Sequence, residues 1–406
     1  MIILVLNFGS SSAKSQLIET SAEMIAENRD RLLAKVRIER MGTPFSIIHC
    51  EIPGGRKIKI SRPVYKPEEA FQAIIDTYNE HVGSRKIEGV GHRVVHGGER
   101  FYQSVLMTPP VVEEIEDCVD LAPLHNPHNL KGFYAARALL PGAQHVAVFD
   151  TAFHHTMEAK AHLYGLPYLY YQRYQIRRYG FHGTSHRYLS YRYAQIHGTR
   201  RSAFKLITCH LGNGCSLCAV DYGRSVETTM GFTPVEGLLM GTRCGDVDPV
   251  AVLHVIAHEE MNIQEIESML NRHSGLYGVS GVSSDMQVLL EEAGKGNERA
   301  KLAVDMFCHR VVKAIGAYYA VLNGCDAIVF SGGIGENSPA IRAQICSSLT
   351  AMGVEMDDAA NGAAVGTEGR ITADTAKLPV WAIPTNEELL IARDTLRVIQ
   401  GLPWPQ

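Results

Sequence analysis

The sequence predicts an α/β protein built as two domains of like topology, and three observations predict it. Short β-branched or apolar runs alternate with longer amphipathic stretches, a strand-glycine-strand pattern recurs half a chain length on, and 406 residues suit two or three domains of roughly 150 residues each. The strand-like runs are Ile2 to Leu6, His145 to Phe149, Lys205 to His210, Asp326 to Phe330 and Leu378 to Ile383. Between them, Pro67 to Glu80, Ala300 to Leu322 and Asn386 to Gln400 space their apolar residues as helices do. The recurring pattern is LVLNFGSSS at Leu4 to Ser12 and ITCHLGNGC at Ile207 to Cys215, with Gly9 and Gly212 standing 203 residues apart, half the chain. A further strand-like run follows each glycine turn, Ser15 to Ile18 and Ser216 to Val220, so both are expected to be hairpin tips. A weaker echo sets AVFD at Ala147 to Asp150 against IVFS at Ile328 to Ser331.

Composition narrows the partners. Lys and Arg number 39 against 43 Asp and Glu, a net charge of −4, and 46% of residues are hydrophobic. That balance supplies a core and no basic block for a phosphate backbone, so nucleic acid is not expected as a partner. Nine cysteines scattered through so long a chain are expected as reduced thiols, which points to the cytoplasm. Ile2 to Leu6 has no basic region before it and is expected as a buried strand rather than a signal peptide. No run approaches the ~18 apolar residues of a membrane span, and no membrane attachment is expected. Arg29 to Arg40 alternates charge signs and is expected as a solvated face, and the Tyr- and Arg-rich stretch Tyr164 to Tyr179 as core or interface packing.

Three glycine tips offer chemistry. Asn7 to Lys14 brings small residues, three serine hydroxyls and a lysine, which suit phosphate oxygens and a Ser-rich turn about equally. It has no glycine before the lysine and no helix after it, so it is not a P-loop. His210-Leu211-Gly212-Asn213-Gly214 contains Asn-Gly, a favoured hairpin turn. Gly332 to Pro339 follows a strand and opens a helix with Ser338 as cap and Pro339 in the first turn, where nucleotide contact is the favoured reading. Tips in both halves suggest ATP clamped between domains. Arg93 and Arg243 sit in glycine-flanked segments where a planar guanidinium suits carboxylate or phosphate. Asp150 ends an apolar strand, where α/β folds place ligand groups and where a buried carboxylate also caps turns. His182 and His186 have i,i+4 spacing but no neighbouring glutamate and an intervening glycine, against a zinc motif, and the lone Cys215-x-x-Cys218 reads as structural.

Nine ordered motifs together resemble the acetate kinase family of the acetokinase group along nearly the whole chain. They are NFGSSSAK at Asn7, GHRVVHGGE at Gly91, APLHNP at Ala122, VFDTAFHHTM at Val148, RRYGFHGTSH at Arg177, CHLGNG at Cys209, GFTPVEGLLMGTR at Gly231, FSGGIGEN at Phe330 and PTNEELLIA at Pro384. The resemblance implies a duplicated actin-like, ribonuclease H-like two-domain fold with an interdomain cleft, the first domain being 1–150 plus a returning 386–406 and the second 151–385. It implies reversible transfer from ATP to acetate, giving ADP and acetyl phosphate, with Mg²⁺ or substituting Mn²⁺, in a cytoplasmic homodimer. By motif position, Asn7 and Glu387 would place the metal and Lys14 would lie near the nucleotide phosphates. His210, Leu211, Gly212, Asn213 and Gly214, with Gly333, Ile334, Gly335, Glu336 and Asn337, would hold ATP. Asp285, Met286 and Gln287 match the segment at the adenine nucleoside, with Gln287 where the family often has arginine. Arg93 would bind the substrate carboxylate, Arg243 and His182 would stabilise the transferring phosphoryl group, and Val95, Leu124, Phe181 and Pro234 would wall the methyl pocket.

Phosphoryl transfer needs positioning and charge stabilisation rather than a covalent nucleophile, which agrees with arginines, a metal and backbone amides. The residue matching Asp150 is usually a proton donor or acceptor in the family. A carboxylate nucleophile is already ionised near neutral pH, since such groups titrate at ~4, so Asp150 is expected to position an arginine or a metal-bound water. A capping box of Thr385 and Glu388 is expected to put Glu387 in a first helical turn. Cys215 and Cys244 stand where the family has small residues and are expected as small buried side chains, although thiols there would be sensitive to oxidation. The competing readings are a propionate or other short-chain acyl kinase and, from another class, an ATP-gated actin- or chaperone-like binding protein. Val95 favours acetate, because propionate-preferring relatives tend to carry a smaller residue there and one methylene is worth ~1–3 kcal/mol.

Overall fold

In the computed structural model, which describes residues 1–123 and 125–404, the chain divides into one unit of Met1–Ala152 with the returning segment from Asn386, and a second of Phe153–Thr385. Leu124 lies outside the described residues. Among those described, no helix is long and apolar enough to cross a membrane, and all nine cysteines are free.

The first unit is built on β1 (Ile2–Phe8), β2 (Ser12–Glu19), β3 (Arg31–Glu39), β4 (Ile47–Ile52), β5 (Arg56–Ser61), β6 (Gly89–Val94), β7 (Val105–Leu106) and β8 (Gln144–Phe149), in the order β5-β4-β3-β2-β1-β6-β8-β7. β1 and β2 form the expected hairpin, while β1, β6 and β8 run parallel. The near-continuous apolar run of β1 suits a strand covered on both faces. On one face Phe8 packs with Phe71, Ile74, Ala135 and Ala136 from the helices Pro67–Val82 and Asn126–Leu139. On the other, Ile3, Val5, Val146 and Val148 meet Ile391 and Ala392 of the helix Glu387–Gln400. Glycine lets that helix seat closely: a Cβ at Gly91 would lie 2.4 Å from Thr395 Oγ1. Its seat is also tied by ions, Arg393 Nε donating to Asp30 at 3.1 Å with both side chains 2% exposed.

The second unit has β9 (Lys205–Leu211), β10 (Cys215–Asp221), β11 (Arg224–Thr228), β12 (Ala327–Ser331), β13 (Gly369–Arg370) and β14 (Val380–Ala382), in the order β11-β10-β9-β12-β14-β13. β9 and β10 form the second hairpin, and β9, β12 and β14 run parallel. The run β3-β2-β1-β6-β8 therefore matches β11-β10-β9-β12-β14 in order and direction, the duplication that the two tips imply.

Three expectations need correction. The weaker echo compares β8 with β12, whereas the topology makes β12 the counterpart of β6 and β14 that of β8; short apolar strands look alike whatever their place. Arg29 to Arg40 is only half a solvated face: its core is β3, with Arg31, Lys35 and Arg37 exposed while Leu33, Ala34, Val36 and Ile38 are buried, because successive residues of a strand face opposite ways. Of Tyr164 to Tyr179, expected as core or interface packing, only the end is core: Arg177 and Tyr179 are buried, whereas the helix Tyr168–Tyr174 buries no residue and Tyr168, Tyr170 and Tyr174 are exposed.

Candidate active site

At the carboxyl ends of its parallel strands the first unit gathers Asn7, Arg93, Asp150 and Glu387, where sheets of this class bind ligands. Asn7 pairs in register with Lys14 across the hairpin, Arg93 is next to last in β6, and Asp150 follows β8 with its N–H on Val94 O at 3.0 Å. Glu387 begins the returning helix, but the cap is Asn386, whose side chain accepts from Leu389 N at 3.1 Å. The Thr385–Glu388 box is therefore corrected. Thr385 is drawn off because its N–H donates to Glu336 at 2.9 Å and its hydroxyl meets Ser185 at 2.9 Å.

Asp150, 1% exposed, takes Arg93 by two N–H groups, Nε to Oδ1 at 3.1 Å and Nη2 to Oδ2. Arg93 Nη1 reaches Asn7 Oδ1 at 3.5 Å, and Nε stands 3.9 Å from Glu387 Oε2. A guanidinium carries five N–H donors, so donors remain in hand for a small carboxylate. Burial opposes the charge on Arg93, yet Asp150 and Glu387 more than offset it, and its pKa is raised. Burial, with repulsion from Asp150 and Glu388, pushes Glu387 up to about 7 against the pull of Arg93 and Lys14. Among the described residues no group of three or more His, Cys, Asp or Glu stands ready for a metal. The oxygen donors Asn7 and Glu387, both beside Arg93, suit Mg²⁺, which keeps water and phosphate oxygens and takes one or two protein ligands.

Val95, 5% exposed, is placed by two asparagines of the helix Asn126–Leu139. Asn129 Oδ1 accepts from Val95 N at 3.1 Å while its Nδ2 donates to Phe8 O at 2.8 Å, and Asn126 pairs with both backbone groups of His96. Sequence reasoning missed this pair. Its signal is two amides at i and i+3 on a helix face that also buries Leu130 and Phe133.

In the second unit His182, Arg243 and Pro234 come together. His182 has φ +55° and precedes the helix Gly183–Ile196, and its Nδ1 is 2.9 Å from Ser216 Oγ. The His210 ring lies 4.3 Å from that of His182, with its own Nδ1 2.8 Å from Ser185 Oγ. Arg243 Nη1 donates to Pro234 O at 3.2 Å. A Cβ at Gly214 would sit 3.4 Å from His182 Nε2 and 3.3 Å from Arg243 Nη1, so glycine keeps open the space between imidazole and guanidinium. Phe181, buried, accepts from His154 Nε2 at 3.0 Å. The segment bearing Pro234 and Arg243 is pinned by residues the sequence did not single out: Arg178 donates to Thr228 O at 2.9 Å and Thr229 O at 3.0 Å and pairs with Glu236 at 2.6 Å, while Tyr164 O–H donates to Glu236.

A cavity of about 740 Å³ opens beside these tips, room for a nucleoside. Of the residues expected around a nucleotide, Gly212, Asn213, Asp285, Met286, Gln287, Gly333, Ile334 and Asn337 line it. His210 and Gly214 belong instead to the His182–Arg243 cluster, and Lys14 to the first unit. Leu211 and Gly335 are buried. Glu336 turns inward, Oε1 accepting from Gly332 N at 2.8 Å and Ser331 Oγ at 3.1 Å as well as from Thr385, so it braces the glycine segment. That segment is itself a short helix, Gly332–Asn337, ahead of one that Ser338 caps as expected. Asp285 spends its carboxylate capping the helix Met286–Gly294. Cys215 is buried, its pKa pushed up to about 12 by burial, and Cys244 is half-buried and likewise raised; Cys215 fits a small packed side chain.

The family model described as the acetokinase family matches residues 2–393. The acetate kinase of Thermotoga maritima is 49% identical over 409 residues, covering 99% of this chain and 100% of that protein. That of Chloroherpeton thalassium is 49% identical over 414 residues, 98% of this chain and 99% of its own. Among solved structures, Porphyromonas gingivalis acetate kinase superposes with a TM-score of 0.91 at 41% identity, covering 98% and 99% of the two chains. A propionate kinase from Francisella tularensis gives 0.90 at 39% identity, covering 99% and 100%.

Proposed function

The chain belongs to the acetokinase family, and we propose that it transfers the γ-phosphoryl group of ATP directly and reversibly to acetate, giving acetyl phosphate and ADP. The observation that carries this reading is the pair of clusters: Arg93 gripped by Asp150 and flanked by Asn7 and Glu387, and His182 with Arg243 around the open space at Gly214. Arg93 binds the acetate carboxylate, already ionised near neutral pH, so no general base is required. Asp150 orients the guanidinium, and by motif position the methyl group is assigned to Val95 and Leu124 of the first unit and to Phe181 and Pro234 of the second. Arg243 and His182 place positive charge and an N–H where charge builds up on the phosphoryl oxygens.

The adenine nucleoside is assigned to the cavity lined by Asp285, Met286 and Gln287, with its phosphates toward Gly212 and Gly333, and Lys14 of the first unit is assigned to the phosphates by motif position. Asn7 and Glu387 would hold Mg²⁺, or Mn²⁺ in its place, and bound metal neutralises charge on the nucleotide phosphates. The two units correspond to acetokinase domains of 1–150 with 386–406 and of 151–385. The chain works in the cytoplasm as a homodimer. Apolar side chains exposed on the helix Pro249–Glu259, Val250 and Leu253 among them, support a subunit contact.

The test is trapping of acetyl phosphate with hydroxylamine in the presence of Mg-ATP and acetate, repeated with Arg93→Ala and Arg243→Ala. Unchanged rates in both variants would sink the site assignment. No trapped acyl phosphate would leave the ATP-gated binding protein standing. Comparing kcat/KM for acetate, propionate and butyrate tests Val95, and a preference for propionate overturns the assignment of acetate.

A further inference from the structure

The His182/His186 pair matches no metal motif, and the reaction proposed above uses only His182. The second imidazole, on the same face of the helix Gly183–Ile196 one turn on, is fully buried, as are Ser216 on β10 and Thr208 on β9. Their polar atoms form an unbroken chain: Thr208 Oγ1 to His186 Nδ1 at 2.7 Å, His186 Nε2 to Ser216 Oγ at 2.8 Å, and Ser216 Oγ to His182 Nδ1 at 2.9 Å. Each hydroxyl has one proton, and each neutral imidazole has one N–H and one acceptor nitrogen. Two directions therefore satisfy the chain, and they leave the hydrogen of His182 on opposite nitrogens. With Thr208 donating to His186 Nδ1 at 2.7 Å it ends on Nε2, and with Thr208 donating to Cys218 O at 3.5 Å it ends on Nδ1. The second asks a buried hydroxyl to donate over a distance well beyond the usual range, and only the first sets a donor beside Arg243 at the space kept by Gly214.

We propose that Thr208, His186 and Ser216 are positioning residues that act as a proton-ordering relay, holding His182 in the tautomer whose Nε2 carries the hydrogen. With Nδ1 of His186 accepting, its Nε2–H donates to Ser216, the serine O–H donates to His182 Nδ1, and the remaining N–H of His182 is on Nε2. That nitrogen stands beside Arg243 Nη1 at the space kept by Gly214, so imidazole and guanidinium present donors to the same place. Burial pushes the pKa of His186 well below its ordinary value, with His154 and His210 adding to the effect, so the ring is neutral and can relay rather than carry charge. Orientation of one imidazole through its second nitrogen is a recurrent device in sites of this kind. The HxxxH spacing thus serves one functional histidine and its support.

The relay as a catalytic aid rests on the reaction proposed above, but the tautomer can be read without substrate. In the full chain labelled with ¹⁵N-histidine, long-range ¹H–¹⁵N correlation near pH 7.5, assigned with a His182→Gln variant, should show His182 as Nε2–H. Ser216→Ala should shift His182 to a mixture of tautomers and lower kcat roughly tenfold, the worth of one such hydrogen bond, while KM for acetate stays within about twofold. His186→Gln keeps an N–H donor where the ring had one and should leave His182 as Nε2–H, whereas His186→Leu should not; the same tautomer mixture in both variants overturns the relay. A native spectrum with the hydrogen on His182 Nδ1 overturns the relay, and so does Ser216→Ala with an unchanged tautomer. The native spectrum decides even if the variant does not fold. A chain that shows Nε2–H yet makes no acetyl phosphate keeps the relay and defeats the proposed reaction.

Discussion

In the first unit Arg93 stands between Asp150 and Glu387, attracted to both carboxyl groups, which repel each other. In the second, His182 and His210 are held by serine hydroxyls, with glycine backbone shaping the space in front of them. Both units stand on the same five-strand pattern, so the difference comes from the side chains at the strand ends and from the helices and loops that bring Glu387, His182 and Arg243. It shows two ways to preorganise a donor. A charged cluster positions strongly but is costly to break, because the surviving partner is left buried and unpaired. A neutral relay costs little to lose in stability and more in aim.

That contrast gives its own tests, the largest first. Arg93→Ala should cut acetyl phosphate formation roughly a thousandfold and also lower stability by about 3 kcal/mol, because buried Asp150 loses the cation that takes both its oxygens. Arg243→Ala should cost about 10²–10³-fold in kcat with a smaller loss of stability than Arg93→Ala, the bond from Nη1 to the neutral carbonyl of Pro234 being among those it removes. Denaturant melts beside the hydroxamate assay read both, and equal stability losses would break the contrast. Asp30→Ala, which removes the carboxylate paired with buried Arg393 of the returning helix and leaves it the neutral amide of Asn28, should destabilise the chain by about 3 kcal/mol and raise the Mg²⁺ needed for half-maximal rate, since that helix carries Glu387.

The neutral imidazoles have a signature of their own. Burial brings His154 down to about 4, so between the ordinary value near 6.5 and 4 the unfolded chain takes up a proton that the folded chain refuses. Stability present above pH 6.5 is therefore lost as pH falls, by about 1.4 kcal/mol per pH unit for this one ring. Melting followed from pH 7.5 to 5 should show the slope, and His154→Gln should reduce it by that amount, leaving the share of buried rings such as His186. The smallest effect is expected at Gly333, where an added Cβ meets nothing within 4 Å and φ is not positive. Gly333→Ala should alter stability by no more than about 1 kcal/mol and raise KM for ATP a few-fold by crowding the cavity wall, as initial rates against ATP will check.

The duplication was legible because hairpin tips are local: an apolar strand, a glycine turn and a second strand declare themselves within a dozen residues, at Gly9 and again at Gly212. Arg93, Asp150, Arg243 and His182 were legible for a related reason, as polar residues at the ends of apolar strands or beside glycines. Asn129, Ser216 and Arg178 were not. Each acts on a segment far off in the chain, Asn129 on Phe8, Ser216 on His182 and Arg178 on Thr228, and a buried serine or asparagine looks in sequence like any other. Glu336 and Asp285 have a task in the fold that the sequence did not declare. They stand inside motifs of the nucleotide segment, yet their carboxylates turn to nearby backbone N–H groups, which only the folded path of the chain brings into reach.

By itself the sequence determined the α/β class, the repeat, the family and the types of group that do chemistry, because hydrophobic period, turn residues and motif order are properties of short stretches. The tertiary structure alone decided which groups face one another. The pairing of Arg93 with Asp150 across 57 residues, the seating of the last helix on Gly91, and the direction of the Thr208–His186–Ser216–His182 chain all depend on distances of a few ångströms between strands and helices remote in sequence. Hydrogen bonds and ion pairs fall off steeply over those distances, and no pattern along the chain records them.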